Sequence, residues 1–371
     1  MKTSHLLVTI GTRPEAVKMA PLIRALRDRP WARVRVLATG QHREMLAQIL
    51  EPMGIRPDYD LDLMREDQQP AALLARLVPA VTEVLETEAP DLVLVQGDTT
   101  TAMATGLACH YRQIPVGHVE AGLRTRDKFS PFPEEMNRRL LGCLADLHFA
   151  PTPLTAEHLR REGVDASTVF VTGNTVIDAL QAIVADLGLE QEEPGQQQET
   201  RILVTMHRRE SFGEPLERIC TALLALADRE DVRILYPVHP NPSVRERVHA
   251  RLCDHPRIEL REPMSHPEFV RAMAAARLIL TDSGGVQEEA PSLGRPVLVL
   301  REETERSEAV EAGCSLVVGT DVERILEAAH RLLDDPAAWA AMARIENPYG
   351  DGKASQRICD ILEQWWREKQ A

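Results

Sequence analysis

The chain has 371 residues, more than one typical core holds, so two domains are the natural expectation. Hydrophobic residues make up 44%, enough for a well-packed globular protein. A net charge of −14 without a basic block argues against a nucleic-acid partner, and six scattered cysteines with no CxxC pair exclude zinc-ribbon and thioredoxin readings.

Residues 6–10 read as a buried strand, too short for a signal peptide or membrane span. With cysteines that read as small buried hydrophobes, this points to a cytoplasmic protein. Gly11 turns the chain. Thr12 is placed to N-cap a helix, with Glu15 completing a capping box and Pro14 in the first turn. Arg13 and Lys18 stand at that helix start, where cations after a first strand suit an anion; two solvated cations are the plain alternative. Residues 34–38 form the next strand, ending in Thr39-Gly40-Gln41-His42. Met45, Leu46, Ile49 and Leu50 give the following helix an apolar face. Residues 58–64 read as extended and 71–85 as a long amphipathic helix.

Residues 92–95 are an uninterrupted apolar run, as in a strand covered on both faces, and lead into Gln96-Gly97-Asp98-Thr99. Asp98 thus sits at the carboxyl end of a parallel strand, where open α/β sheets bind ligands; N-capping the next helix is its competing role. On the strand at 114–119, Val116, His118 and Glu120 share a face. Glu120, at the strand tip, is hard to explain as core, whereas His118 reads better as a satisfied core histidine. Glu134 opens a helix after Pro131 and Pro133, where the helix dipole alone favours a carboxylate. Further strands read at 146–150 and 168–171, and Thr172-Gly173-Asn174-Thr175 with Asp178 opens a helix. Residues 190–199 are polar and glutamine-rich, a surface connector.

The second half repeats the alternation, with strands at 202–206, 232–238, 257–260, 278–280, 297–300 and 316–318. His207 follows the first of these and His239 the second. Thr281-Asp282-Ser283-Gly284-Gly285 turns into a helix at 286–292 that contains Glu288 and Glu289 and stops at Gly294. That turn offers bare N–H groups and a hydroxyl to a phosphate; an ordinary strand-to-helix connection is the plain alternative. Glu289 is placed to bind ribose hydroxyls. Arg301 to Arg306 form a charged loop after the 297–300 strand. Following a turn at 347–352, a last helix shows Ile358, Ile361, Leu362 and Trp365 on one face. No GxxxxGK[ST] occurs, which excludes a P-loop NTPase, and no GxGxxG follows the first strand, which weakens hydride transfer. Phosphate grips and several acids instead suggest a phosphorylated sugar or nucleotide.

The stretches 11–21, 41–46, 97–101, 115–125, 130–138, 172–180, 207–213, 236–241, 281–299, 304–306 and 347–352 closely resemble the non-hydrolysing bacterial UDP-N-acetylglucosamine 2-epimerases, in that family's order along nearly the whole chain. The resemblance implies an α/β protein of GT-B architecture, two Rossmann-like domains whose parallel sheets face an interdomain cleft. The expected division is 1–172 with a returning helix 356–371, and 173–355. It implies reversible epimerisation at carbon 2 of UDP-N-acetylglucosamine to UDP-N-acetylmannosamine, by elimination of UDP to 2-acetamidoglucal and re-addition, with no cofactor and no metal. It further implies a homodimer that supplies surface polysaccharide synthesis and binds neither nucleic acid nor membrane. Arg13, Lys18, His207, Phe269, Ser283, Gly284, Gly285, Glu289 and Arg306 would contact substrate or UDP. Asp98, Glu120 and Glu134 match the family's catalytic acids, and His207 would serve as a cation for the diphosphate or a proton donor to it. Gln41, His42, Gln68, Arg209 and His239 match an allosteric site for a second substrate molecule, from which Glu44 and Asp67 depart. Met264, Glu303 and Ser307 also depart from common family residues. A glycosyltransferase or hydrolysing epimerase on the same fold, or a non-catalytic nucleotide-sugar sensor, are the competing functions.

Overall fold

The computed structural model describes residues 2–40, 50–51, 54–63, 65, 69–125, 127–189, 199–208 and 212–371. Two compact units result, Met1–Ala179 with Tyr349–Ala371, and Leu180–Pro348.

In the first unit, β1 (Ser4–Ile10), β2 (Ala32–Ala38), β3 (Tyr59–Asp60), β4 (Leu92–Gln96), β5 (Val116–Val119), β6 (Leu147–Ala150) and β7 (Val169–Val171) form one parallel sheet. The strand order is β3-β2-β1-β4-β5-β6-β7, so the winding reverses between β1 and β4. Val8 lies opposite Leu94, and the loops after these two strands therefore leave the sheet side by side. Such a reversal is where open α/β sheets receive ligands. Alternate residues face opposite layers. Leu6, Val8 and Ile10 pack with the helix Arg13–Arg27 and the final helix Ala354–Gln370. Leu7, Val93 and Val95 pack on the other side with Val81, Val84 and Leu85 of the helix Pro70–Glu88.

The last helix buries Ile358, Cys359, Leu362 and Trp366, with Ile361 and Trp365 only partly covered. The expected apolar stripe is thus rotated by about one position. Cys359 packs as a small hydrophobe, and the Trp366 indole is drawn inward by its 2.8 Å hydrogen bond to the Lys2 carbonyl. The helix start is held by Asp178, which accepts the Ala354 and Ser355 N–H groups at 3.1 and 2.7 Å.

The second unit carries β8 (Thr200–Thr205), β9 (Val232–Pro237), β10 (Ile258–Arg261), β11 (Leu278–Thr281), β12 (Val297–Val299) and β13 (Ser315–Val317), all parallel, in the order β10-β9-β8-β11-β12-β13. Its reversal lies between β8 and β11, where Thr205 pairs with Thr281. His207 and Asp282 follow those strands and become neighbours. The helix expected at 286–292 is two pieces, an α-helix Gly284–Glu289 and a 3-10 turn Ala290–Leu293, ended by Gly294 at φ 65°. Pro291 accounts for the change, because it has no N–H to continue the α-helical ladder.

Cys109, Cys220, Cys314 and Cys359 are buried and Cys143 and Cys253 exposed, all as free thiols. No described helix is long and apolar enough to cross a membrane.

Candidate active site

In the first unit the groups of interest collect where β1, β4 and β5 end. Glu120 is buried and its backbone adopts φ 64°, a left-handed conformation that non-glycine residues rarely take. The Lys18 ammonium donates to both of its oxygens at 2.7 Å, and the Gln96 amide binds Oε2 as well. A carboxylate so held is fixed in place and kept beside a positive charge.

A methyl group built on Gly97 would lie 4.0 Å from Glu120 Oε2, so the loop that carries Asp98 runs next to this carboxylate. Asp98 does not cap the following helix: Thr99 does, its hydroxyl accepting the Ala102 N–H at 3.0 Å. The competing role for Asp98 therefore falls away. Its Oδ2 instead faces the buried Arg138 Nε at 3.4 Å, and its carbonyl accepts the Asn137 side-chain amide at 2.9 Å. Both donors stand on the helix Glu134–Leu144. Glu134 is the first residue of that helix and half-buried. Its neighbour Glu135 is fully buried and anchors the segment, accepting Arg139 Nε and the Thr125 N–H at 2.9 Å each. Arg13 is exposed at the start of the first helix.

His118 is buried as a core histidine, yet its Nε2 bonds the Gly97 carbonyl at 2.7 Å and so steadies the Asp98 loop. Burial lowers its imidazole to about 3, which keeps the ring neutral.

The Thr12–Glu15 capping box is only half formed. The Thr12 side chain makes no cap bond. The Glu15 carboxylate accepts the Gly11 N–H at 3.1 Å and the Thr99 hydroxyl at 2.8 Å, tying the loop after β1 to the loop after β4. Burial pushes its carboxyl up to about 7, against hydrogen bonds from Thr12, Thr99 and Gly11 that lower it. Because the folded value lies above the ordinary 4.5, the native state keeps this proton where the unfolded chain has released it. The stability linked to it is complete below about 4.5 and lost as pH rises through about 7, a difference of roughly 3 kcal/mol. Glu15→Gln, which mimics the protonated acid, should therefore melt like the parent at pH 4.5 and above it at pH 8, as read by calorimetry. A difference that does not grow with pH would show that the Glu15 carboxyl titrates normally.

In the second unit, the buried Asp282 organises the loop after β8. It accepts the backbone N–H groups of His207 and Arg208 at 3.0 to 3.1 Å and lies 3.3 Å from His207 Nδ1. Burial would raise its carboxyl, but the hydrogen bonds and charge of His207 outweigh burial and hold it below the usual range. The carboxylate favours the proton on Nδ1 and leaves Nε2 of the exposed imidazole for a ligand. His239, with its Nδ1 3.2 Å from the Asn241 N–H, is lowered by burial and by nearby His207.

Across from Ser283-Gly284-Gly285 lies a charged cluster. Arg306 Nε donates to Glu288 at 2.6 Å. Glu305 accepts Arg208 and Arg301 at 2.6 Å each and stays ionised: burial opposes this, but Arg306, Arg208 and Arg301 hold it far below the usual range. A Cβ at Gly284 would lie in ordinary contact, 3.5 Å, with the Arg306 guanidinium, so the turn passes close to that cation. Thr304 accepts the Arg306 N–H at 3.1 Å and donates to Gln287 at 2.7 Å, so the loop is braced despite Glu303 and Ser307. Glu289 is buried and Phe269 is partly buried on the helix His266–Ala275.

Gln41, His42, Gln68 and Arg209, with Glu44 and Asp67, lie outside the described residues. Sequence reasoning passed over Gln96, Glu135, Asp282, Glu305 and Glu15 as site-forming groups. Asp282 had a signal, a carboxylate directly after a strand at a Gly-rich turn. Glu135 had one too, at helical spacing from Arg138 and Arg139.

Comparison with known proteins gives one family. The family model described as UDP-N-acetylglucosamine 2-epimerase matches residues 24–363. A probable UDP-N-acetylglucosamine 2-epimerase of Ralstonia nicotianae is 53% identical, covering 97% of this chain and 99% of its own. The UDP-N-acetylglucosamine 2-epimerase of Bacillus subtilis is 50% identical, covering 98% and 96%. Among solved structures, the UDP-GlcNAc 2-epimerase of Neisseria meningitidis bound to UDP-GlcNAc superposes with a TM-score of 0.91 at 44% identity, over 97% of this chain and 100% of that one.

Proposed function

The chain belongs to the UDP-N-acetylglucosamine 2-epimerase family, and from that premise we propose that it is an isomerase that inverts carbon 2 of UDP-N-acetylglucosamine reversibly, giving UDP-N-acetylmannosamine. The observation that carries this reading beyond family membership is the buried Glu120, held by Lys18 and Gln96 in a strained backbone beside the Asp98 loop. A lone nucleotide grip has no use for such a carboxylate.

Carbon 2 has no adjacent carbonyl, so removing its proton alone is difficult. In the proposed route one carboxylate takes that proton, a double bond forms between carbons 1 and 2, and the carbon 1–oxygen bond breaks with its electron pair leaving on UDP. Re-addition of UDP to the 2-acetamidoglucal returns a proton to the other face of carbon 2. Inversion therefore needs more than one acid/base group, and Glu120 and Asp98 are assigned to it, with Glu134 sharing or supporting the role. The buried Arg138 guanidinium faces Asp98 as a 3.4 Å ion pair and so places a positive charge beside it. Charge developing on the leaving diphosphate needs preorganised donors. His207, the Ser283-Gly284-Gly285 turn, Arg306 and Arg13 are assigned to that charge, Glu289 to the ribose and Phe269 to the base. We assign the protein to the cytoplasm, to surface polysaccharide synthesis and to a homodimer, with His239 at the activating site for a second substrate molecule.

The test is incubation with UDP-N-acetylglucosamine in heavy water, followed by NMR. Reversible appearance of the manno epimer with deuterium at carbon 2 is expected. Free N-acetylmannosamine as the main product would assign the chain to hydrolysing chemistry instead, and an inert protein that still binds the nucleotide sugar would make it a sensor.

A further inference from the structure

We propose that His266 is a positioning residue for nucleoside recognition: by holding one oxygen of Glu289, it aims the other at the ribose hydroxyls of the bound nucleoside diphosphate. This rests on the reading that Glu289 takes the ribose.

His266 Nε2 lies 2.8 Å from Glu289 Oε1. The carboxylate has no proton to give, so the ring nitrogen is the donor. The two side chains are 17% and 8% exposed, which shields the bond from competing water. Glu289 closes the short helix Gly284–Glu289, next to Pro291, where its backbone is fixed. A glutamate side chain still has three rotatable bonds, and a carboxylate bound at one oxygen loses most of that freedom before the ligand arrives. His266 is itself set in place. It is the first residue of the helix His266–Ala275, whose start is locked by Ser265 and Glu268, the Ser265 N–H and hydroxyl meeting Glu268 Oε2 at 2.9 and 2.6 Å. Phe269 stands three residues further on, on the same helix face. One helix thus presents both the ring assigned to the base and the donor that orients the ribose carboxylate. This links two parts of nucleoside recognition that come from distant points in the sequence.

The test compares UDP with 2′,3′-dideoxy-UDP by calorimetry, in the parent and in His266→Phe, His266→Gln and Glu289→Gln. Loss of a hydroxyl partner at a site built to bind it is penalised heavily, so the parent should prefer UDP. His266→Phe should cut that preference by about tenfold while leaving the affinity for the dideoxy nucleotide unchanged. His266→Gln, whose amide can still donate to Glu289, should restore most of it. Turnover at saturating substrate should hold in His266→Phe while KM rises. An equal loss of affinity for both nucleotides in His266→Phe would reveal a packing role and overturn the proposal. So would an intact preference in His266→Phe when Glu289→Gln abolishes it, which leaves the reading of Glu289 standing. An intact preference in Glu289→Gln would remove the ribose reading and the proposal together.

Discussion

Glu120→Gln should lower turnover by at least about a hundredfold while the protein stays folded, because a group that transfers protons cannot be replaced by its amide. The substitution conserves shape, and an amide oxygen can still accept from Lys18. What it removes is the negative charge that the Lys18 ammonium faces at 2.7 Å and the ability to carry a hydrogen between solvent and carbon 2. Binding of UDP should survive, since the groups assigned to the nucleotide are carried by other residues. Asp98→Asn should behave in the same way, with Arg138 left facing a neutral amide. Steady-state rates and deuterium wash-in at carbon 2 should fall together. Near-normal rates in either variant would remove that residue from proton handling. Loss of epimer formation with wash-in retained would instead separate proton exchange from inversion.

The largest loss of stability is expected at Gly122. Its φ is 89°, and a Cβ placed there would lie 2.1 Å from the Thr155 carbonyl oxygen. That oxygen is backbone, in the first turn of the helix Pro153–Arg161, where Thr152 and Thr155 cap one another. Neither partner can swing away as a flexible side chain would. Gly122→Ala should therefore destabilise the protein by about 3 kcal/mol or more, the sum of left-handed strain and overpacking. Gly163→Ala is the matched control. Its φ is 90° and nothing lies within 4 Å of the added carbon, so only the strain remains. Thermal melting should place Gly163→Ala well above Gly122→Ala, and equal melting temperatures would refute the clash. Because Gly122 follows Glu120 by two residues, Gly122→Ala should also lose activity before it loses secondary structure.

Much of the architecture was legible in the chain because both sheets are parallel and buried, so their strands stand out as short apolar runs between turns. Strand ends shifted by only a residue or two, except in the extended segment 58–64, where only Tyr59–Asp60 is strand. Asp98 and Glu120 stood out as candidates because each is a carboxylate at the carboxyl end of such a strand, where open α/β sheets receive ligands. What periodicity could not show is which groups bind which. Glu15 looked like a capping partner because Thr12 stands three residues before it, and besides its hydrogen bonds with Thr12 its carboxylate reaches across to Thr99. His118 looked like core and is core, yet its ring holds the Gly97 carbonyl. The apolar stripe of the last helix was read one position off, since a cysteine and two adjacent tryptophans fit two faces equally well. Partners separated by 80 residues or more, such as Glu15 with Thr99 or Lys18 with Glu120, depend on strand order and not on spacing.

The final helix also bears on biosynthesis. It covers Met19, Leu22, Ile23 and Leu26 of the first helix with residues that are translated only after the whole of Leu180–Pro348. On the ribosome the later-encoded unit can close its sheet while the earlier one waits with an open apolar flank for Ile358, Leu362 and Trp366. That flank is a hazard in a nascent chain, since uncovered apolar surface invites chaperones or aggregation. Substitutions that keep this helix from docking should accordingly harm the half of the protein that was made first.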